Sequence, residues 1–102
     1  LQQLALVGLT YEQVAAFCRR WKLRQFSLFG SILRDDFNSE SDVDVLVERS
    51  PGSHLSLYDW VDMRDELSEA VGRRVDLVDI QGLTNPFRRR EILSTRRVIY
   101  EA

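Results

Sequence analysis

The alternating run Val43-Asp44-Val45-Leu46-Val47, entered directly from Asp42, constrains this chain more than any other stretch. Side chains on a strand point to opposite faces in turn. Asp42, Asp44 and Leu46 therefore share one side, and Val43, Val45 and Val47 the other. The valine side asks for burial. On the other side, two unpaired carboxylates taken out of water would cost several kcal/mol, or one of them would have to stay protonated. Something positive is expected between them.

The rest of the chain reads as a small alternation of helices and strands. Thr10 and Gln13 form a capping box for a helix in "TYEQVAAFCRRWK", with Tyr11, Val14, Ala15, Cys18 and Trp21 as its apolar stripe. "RQFSLFG" switches to a strand with Phe26 and Leu28 on one face, ended by Gly30. Ser31 to Asp35 fits one helical turn, and "FNSES" fits a polar loop ahead of the acidic strand. Ser56 and Asp59 cap a second helix with Leu57, Trp60, Val61, Leu67 and Val71 as its stripe and Gly72 at its end. "RRVDLVDI" is a third strand. Pro86 opens a last helix, "PFRRREIL", and "RVIY" is a short extended close. The spacing predicts an α/β fold with a mixed sheet of three or four strands flanked by helices, residues 1–102 forming one domain.

Composition narrows the function classes. With 102 residues, 44% hydrophobic and 29% charged, the chain has the balance of an ordinary globular protein and a modest core. A formal net charge of −2 argues against a general polyanion binder and makes direct nucleic-acid binding a distant reading. Cys18 is the sole cysteine, so no internal disulfide is expected, and it reads as a small buried hydrophobe. No stretch is long and apolar enough to suggest a membrane span, and the opening "LQQLALVGLT" lacks the basic start of a secretory signal, so a cytoplasmic location is expected. His54 has no metal-binding neighbours in sequence and reads as exposed.

The chemistry concentrates in three carboxylates and one turn. Asp76 sits in "RVDLVD" between apolar residues, like Asp44 in its own strand. If the two strands pair side by side, Asp42, Asp44 and Asp76 converge, and such a cluster suits a hard divalent cation, Mg²⁺ or Mn²⁺. Two bridged ions of this kind can hold a triphosphate and stabilise an in-line displacement. Gly30 lets the backbone approach an anion, the amides of the following turn point at it, and Ser31 adds a hydroxyl; Arg34 and Ser41 can reach the same region. Each piece also has a plainer reading. The acids could be solvated and salt-bridged, Asp76 with Arg73 or Arg74, and Gly30-Ser31 could merely end a strand. Asp79 is expected at the surface. Arg88, Arg89 and Arg90 would fan over different faces of a helix, as a solvated surface or a contact for an acidic partner or RNA phosphates.

Taken together, "GSILRDDFNSESDVDVLV", "GRRVDLVD" and "NPFRRREILSTRRVIYE" resemble the minimal nucleotidyltransferase (MNT) family of the DNA polymerase β-like nucleotidyltransferases, from about Thr10 to Glu101. That resemblance implies that Gly30 and Ser31 hold a triphosphate, that Asp42 and Asp44 bind two Mg²⁺ ions, and that Asp76 completes the catalytic metal site. It also implies transfer of AMP from ATP to a protein hydroxyl, chiefly a tyrosine of a HEPN-domain RNase toxin, with this chain as its antitoxin. Asp35 departs from the pattern, since the family usually carries glycine just after the arginine at 34. Two other readings stand beside this one: an antitoxin that neutralises by complex formation alone, and a transferase acting on a small molecule.

Overall fold

The computed structural model describes residues 2–102, and the architecture follows from how the two faces of one sheet are covered. Four helices and four strands run in the order α1 (Gln2–Leu6), α2 (Tyr11–Trp21), β1 (Leu23–Phe29), β2 (Val43–Arg49), α3 (Leu57–Val71), β3 (Val75–Asp79), α4 (Pro86–Thr95) and β4 (Arg97–Glu101). Short 3₁₀ turns at Gly30–Leu33 and Ile80–Gly82 join β1 towards β2 and β3 towards α4. The strands form one mixed sheet in the order β3-β2-β1-β4. β1 pairs antiparallel with β2 and β4, while β2 and β3 run parallel, with α3 as the crossover that parallel neighbours require.

The alternation in β2 divides the core as its residues demand. Val43, Val45 and Val47 join Phe26, Leu28, Val75 and Ile99 in the larger cluster, closed by Val14, Phe17 and Cys18 of α2 and by Met63 and Leu67 of α3. On the opposite face Leu46 packs with Phe29, Ile80, Leu83 and Ile92, so α4 covers that face from Leu46 onward. Asp44, two residues earlier on the same face, lies beyond this cover and is only half-buried. The strand accepts its aspartates because the helix above it stops short.

Local chemistry sets the element ends. Both predicted capping boxes form, Thr10 with Gln13 and Ser56 with Asp59. Gly72 closes α3 in the left-handed region at φ +70°, and the Asn85 side chain accepts from the Phe87 and Arg88 amides to start α4. Burial in the larger core pushes the Cys18 thiol up to about 12, so the thiol stays protonated. Two apolar stripes differ from expectation. In α2, Tyr11 is exposed and Phe17 takes a core place. In α3, Leu57 is 77% exposed and Val61 faces out, while Met63 is fully buried. α3 is rolled so that Trp60, Met63, Leu67 and Val71 face the sheet, leaving Leu57 and Val61 at the margin beside Leu77 of the edge strand. Among the described residues no helix is long and apolar enough to cross a membrane.

Candidate active site

Parallel pairing of β2 with β3 sets Val43 against Val75 and, one step on, Asp44 against Asp76. The two carboxylates therefore leave the same face of adjacent strands. Asp42 precedes β2 with the same parity, exposed, and its side chain turns toward Arg74 at 3.9 Å. A backbone hydrogen bond from the Val43 amide to the Arg74 carbonyl (3.0 Å) ties these entries to β2 and β3 together. All three acids therefore stand at one end of the sheet.

The turn after β1 belongs to the same place. Phe29 opposes Asp44 across the β1/β2 ladder, so Gly30 emerges beside that carboxylate. Gly30 has φ +73°, and a Cβ added there would collide with Asp44 Oδ2. Glycine is required on both counts. The Ser31 amide donates to the Asp44 carboxylate, and Ser31 Oγ donates to the Asp42 carbonyl at 3.2 Å. One turn thus fastens both acids of the pair.

Electrostatics mark Asp44 as the crowded member. Desolvation first, then the charges of Asp76 and Asp42, push its carboxyl above the ordinary value, against smaller lowering effects of the Ser31 amide and Arg34. Among the described residues no three His, Cys, Asp or Glu side chains close on a common point that would enclose a metal ion. Like charges spread apart when only each other and an arginine are at hand, which is the arrangement Asp42 and Arg74 show. The oxygen-only donor set, the shared sheet end and the penalty on Asp44 all fit a hard divalent cation, which would replace repulsion with attraction.

The remaining sequence candidates fall into two groups. Ser41 does not project into the cluster. Its hydroxyl accepts from the Asn38 amide (3.1 Å) and its carbonyl accepts from Arg73 (3.1 Å), so it closes the loop ahead of β2. Arg73 itself lies 4.9 Å over the Phe37 ring. Arg34 is exposed, pairs with Asp36 at 3.4 Å, and borders a cavity of about 590 Å³ between the Gly30–Leu33 turn and α4. Gly30 is in the wall of that cavity, and so is Arg88. The arginine triplet is thereby divided: Arg88 faces the cavity, half-buried Arg89 donates to the Ile80 carbonyl (2.8 Å), and Arg90 is exposed elsewhere. The three fan over different faces, as expected of consecutive helical residues, and the phase of α4 decides which of them meets the cavity. Asp79, expected as a plain surface acid, is half-buried, pairs with Arg49 at 3.4 Å and caps the Ile80–Gly82 turn. His54 is exposed, as its isolation in the sequence implied. A hollow of about 650 Å³ around Trp21, Ser50 and Ala102 lies at the other end of the sheet, away from the acids.

A sheet end with paired acids beside a Gly-Ser turn defines a class of phosphate-handling domain, and the comparisons agree. The nucleotidyltransferase domain family matches residues 11–99, and the chain belongs to that family. A provisionally named protein adenylyltransferase of Methanocaldococcus jannaschii is 29% identical over 73 residues, 72% of this chain and 73% of the relative. The protein adenylyltransferase MntA of Thermococcus cleftensis is 38% identical over 61 residues, 58% of each. Among solved structures, one provisionally named minimal nucleotidyltransferase is 31% identical with a TM-score of 0.70, covering 85% of this chain and 86% of that one. This places the chain with the minimal nucleotidyltransferases. The same fold occurs in a toxin–antitoxin crystallised with AMP-PNP (TM-score 0.74, 21% identity, 92% of this chain and 75% of that one). It occurs again in a complex of tri-AMPylated HEPN toxin with MNT antitoxin from Shewanella oneidensis (TM-score 0.66, 19% identity, 90% and 70%).

Proposed function

We propose that this chain is a protein adenylyltransferase that moves AMP from ATP to a hydroxyl, chiefly a tyrosine, of a HEPN-type RNase toxin, and so acts as its antitoxin. The observation that carries the reading is the register that sets Asp44 beside Asp76, next to the left-handed Gly30 that opens the Gly30-Ser31 turn. Its support from relatives is their naming as protein adenylyltransferases and the AMPylated toxin of the structurally similar complex.

Each residue has a task in that chemistry. Gly30 keeps the turn open to an anion, and the turn's amides with Ser31 Oγ are the donors available to a triphosphate. Asp42, Asp44 and Asp76 would hold Mg²⁺, or Mn²⁺ in its place, which neutralises the triphosphate and acidifies an attacking hydroxyl. Asp76 is exposed on an edge strand, where an acceptor from another molecule can approach it, and it takes the acceptor's proton. The acceptor oxygen bonds to the α-phosphorus, the bond to the bridging oxygen breaks, and pyrophosphate leaves. Positioning and charge neutralisation carry the rate in such transfers.

The test is transfer of label from α-phosphate-labelled ATP in the presence of Mg²⁺ and a HEPN toxin. Label on the toxin, lost with EDTA, is the expected result. Label on a small molecule from lysate would select the small-molecule transferase instead. Neutralisation without any label would leave an antitoxin that acts by binding alone.

A further inference from the structure

A triphosphate brought to this site meets three carboxylates, so its charge must also be answered by cations close at hand. The place that offers them is the 590 Å³ cavity between the Gly30–Leu33 turn and α4. Phe29, Leu33 and Ile92 give it an apolar floor, and Gly30 connects it to Asp44. Its charged groups are two arginines, Arg34 on the turn and Arg88 on the first full turn of α4, against one acid, Glu91, with which neither arginine is paired.

The two arginines differ in how free they are. Arg34 is engaged with Asp36 at 3.4 Å. Arg88 makes no ion pair and no side-chain hydrogen bond among the described residues; only its backbone amide is used, by the Asn85 cap. Its neighbour Arg89 is spent on the Ile80 and Leu83 carbonyls. An uncommitted guanidinium at the wall of a cavity that opens beside a phosphate-binding turn has a fork suited to phosphate oxygens. We infer that Arg88 binds the polyphosphate of the nucleotide, facing it from α4 while the Gly30-Ser31 turn holds it from the sheet. The inference rests on the adenylyltransferase reading and adds to it a residue from the arginine triplet. It also gives α4 a second task beyond covering Leu46: the helix that seals the core presents a cation to the substrate.

The experiment is equilibrium binding of Mg²⁺-ATP to the full chain and to Arg88→Gln, Arg88→Lys and Arg90→Gln, with AMP as a competitor and thermal melting of each variant. Arg88→Gln should weaken ATP binding about tenfold, with a shallower dependence on salt. Arg88→Lys should restore most of the affinity, Arg90→Gln should bind as the parent does, and the AMP constant should stay unchanged. All four proteins should melt alike, since the Arg88 side chain holds nothing in the fold. Equal losses for ATP and AMP, an equal loss in Arg90→Gln, or no loss in Arg88→Gln would each overturn the assignment. If the parent chain itself bound no Mg²⁺-ATP, the adenylyltransferase reading would fall first and this inference with it.

Discussion

Gly30 and Asp44 constrain each other, and a single methyl group tests that coupling. Alanine at position 30 must hold φ near +73° and at the same time push the Asp44 carboxylate aside. The conformational strain alone is worth about 1–2 kcal/mol. We therefore expect Gly30→Ala to lower the melting temperature and to abolish Mg²⁺-dependent ATP binding, whereas Gly52→Ala, with open space around its Cβ position, should only lower stability. Calorimetry on both variants checks this, and ATP binding retained by Gly30→Ala would contradict the close packing. Asp44 gives a second test, through pH. Its carboxyl is raised above the ordinary value of 3.8 by desolvation and then by Asp76 and Asp42. The folded state therefore holds a proton that the unfolded state has already released, and stability from this group falls as pH rises through that interval. Asp44→Asn removes the penalty. Urea titrations should show the metal-free variant more stable than the parent at pH 7, the gain shrinking as pH falls toward the ordinary carboxylate value; a gain that grows in acid would reverse the sign. Where these residues stand was legible because strand alternation and a Gly-Ser turn are local signals; the role proposed for them came with the family resemblance, since each piece alone also had a plainer reading. Arg88 could not be told from Arg89 and Arg90, because the sequence shows that the triplet fans over a helix but not which member meets the turn.

At the scale of elements, caps were easier to read than faces. Thr10, Ser56, Gly72 and Pro86 mark their helix ends by local hydrogen bonding and backbone preference, which need no tertiary context. The faces of α3 do need it. Leu57, Val61 and Met63 are all apolar, and nothing local says which row meets the sheet. The choice went to Met63 because the row through Trp60, Leu67 and Val71 continues it, at the cost of leaving Leu57 and Tyr58 about four-fifths exposed (77% and 81%). Met63→Ala should accordingly cost about 2–5 kcal/mol, and Leu57→Ala should stay within about 0.5 kcal/mol. Denaturant unfolding of the pair decides it, and comparable losses would mean that the helix is rolled the other way. The short α1, Gln2–Leu6, was not anticipated, since five residues give too little periodicity to read.

For the molecule as a whole, the decisive feature is topological. A helical crossover is the usual way to join parallel neighbours, and here α3 places residue 76 beside residue 44, two carboxylates far apart in sequence but next to each other in the sheet. Sequence reading anticipated an α/β fold with three or four strands and made convergence of the acids conditional on that pairing. It did not anticipate the strand order, which puts β3 and Asp76 at an open edge. That edge is where an acceptor from a second protein has access, and covalent transfer to such an acceptor makes the chain a catalyst with turnover. A binding antitoxin must match its target one to one. The most direct measurement is intact mass of a HEPN toxin in large excess over this chain, with ATP and Mg²⁺, alongside Asp44→Asn. Most toxin molecules should gain the mass of one or more AMP units with the parent chain and none with the variant. Toxin left unmodified while still neutralised only at equal stoichiometry, by parent and variant alike, would contradict the account.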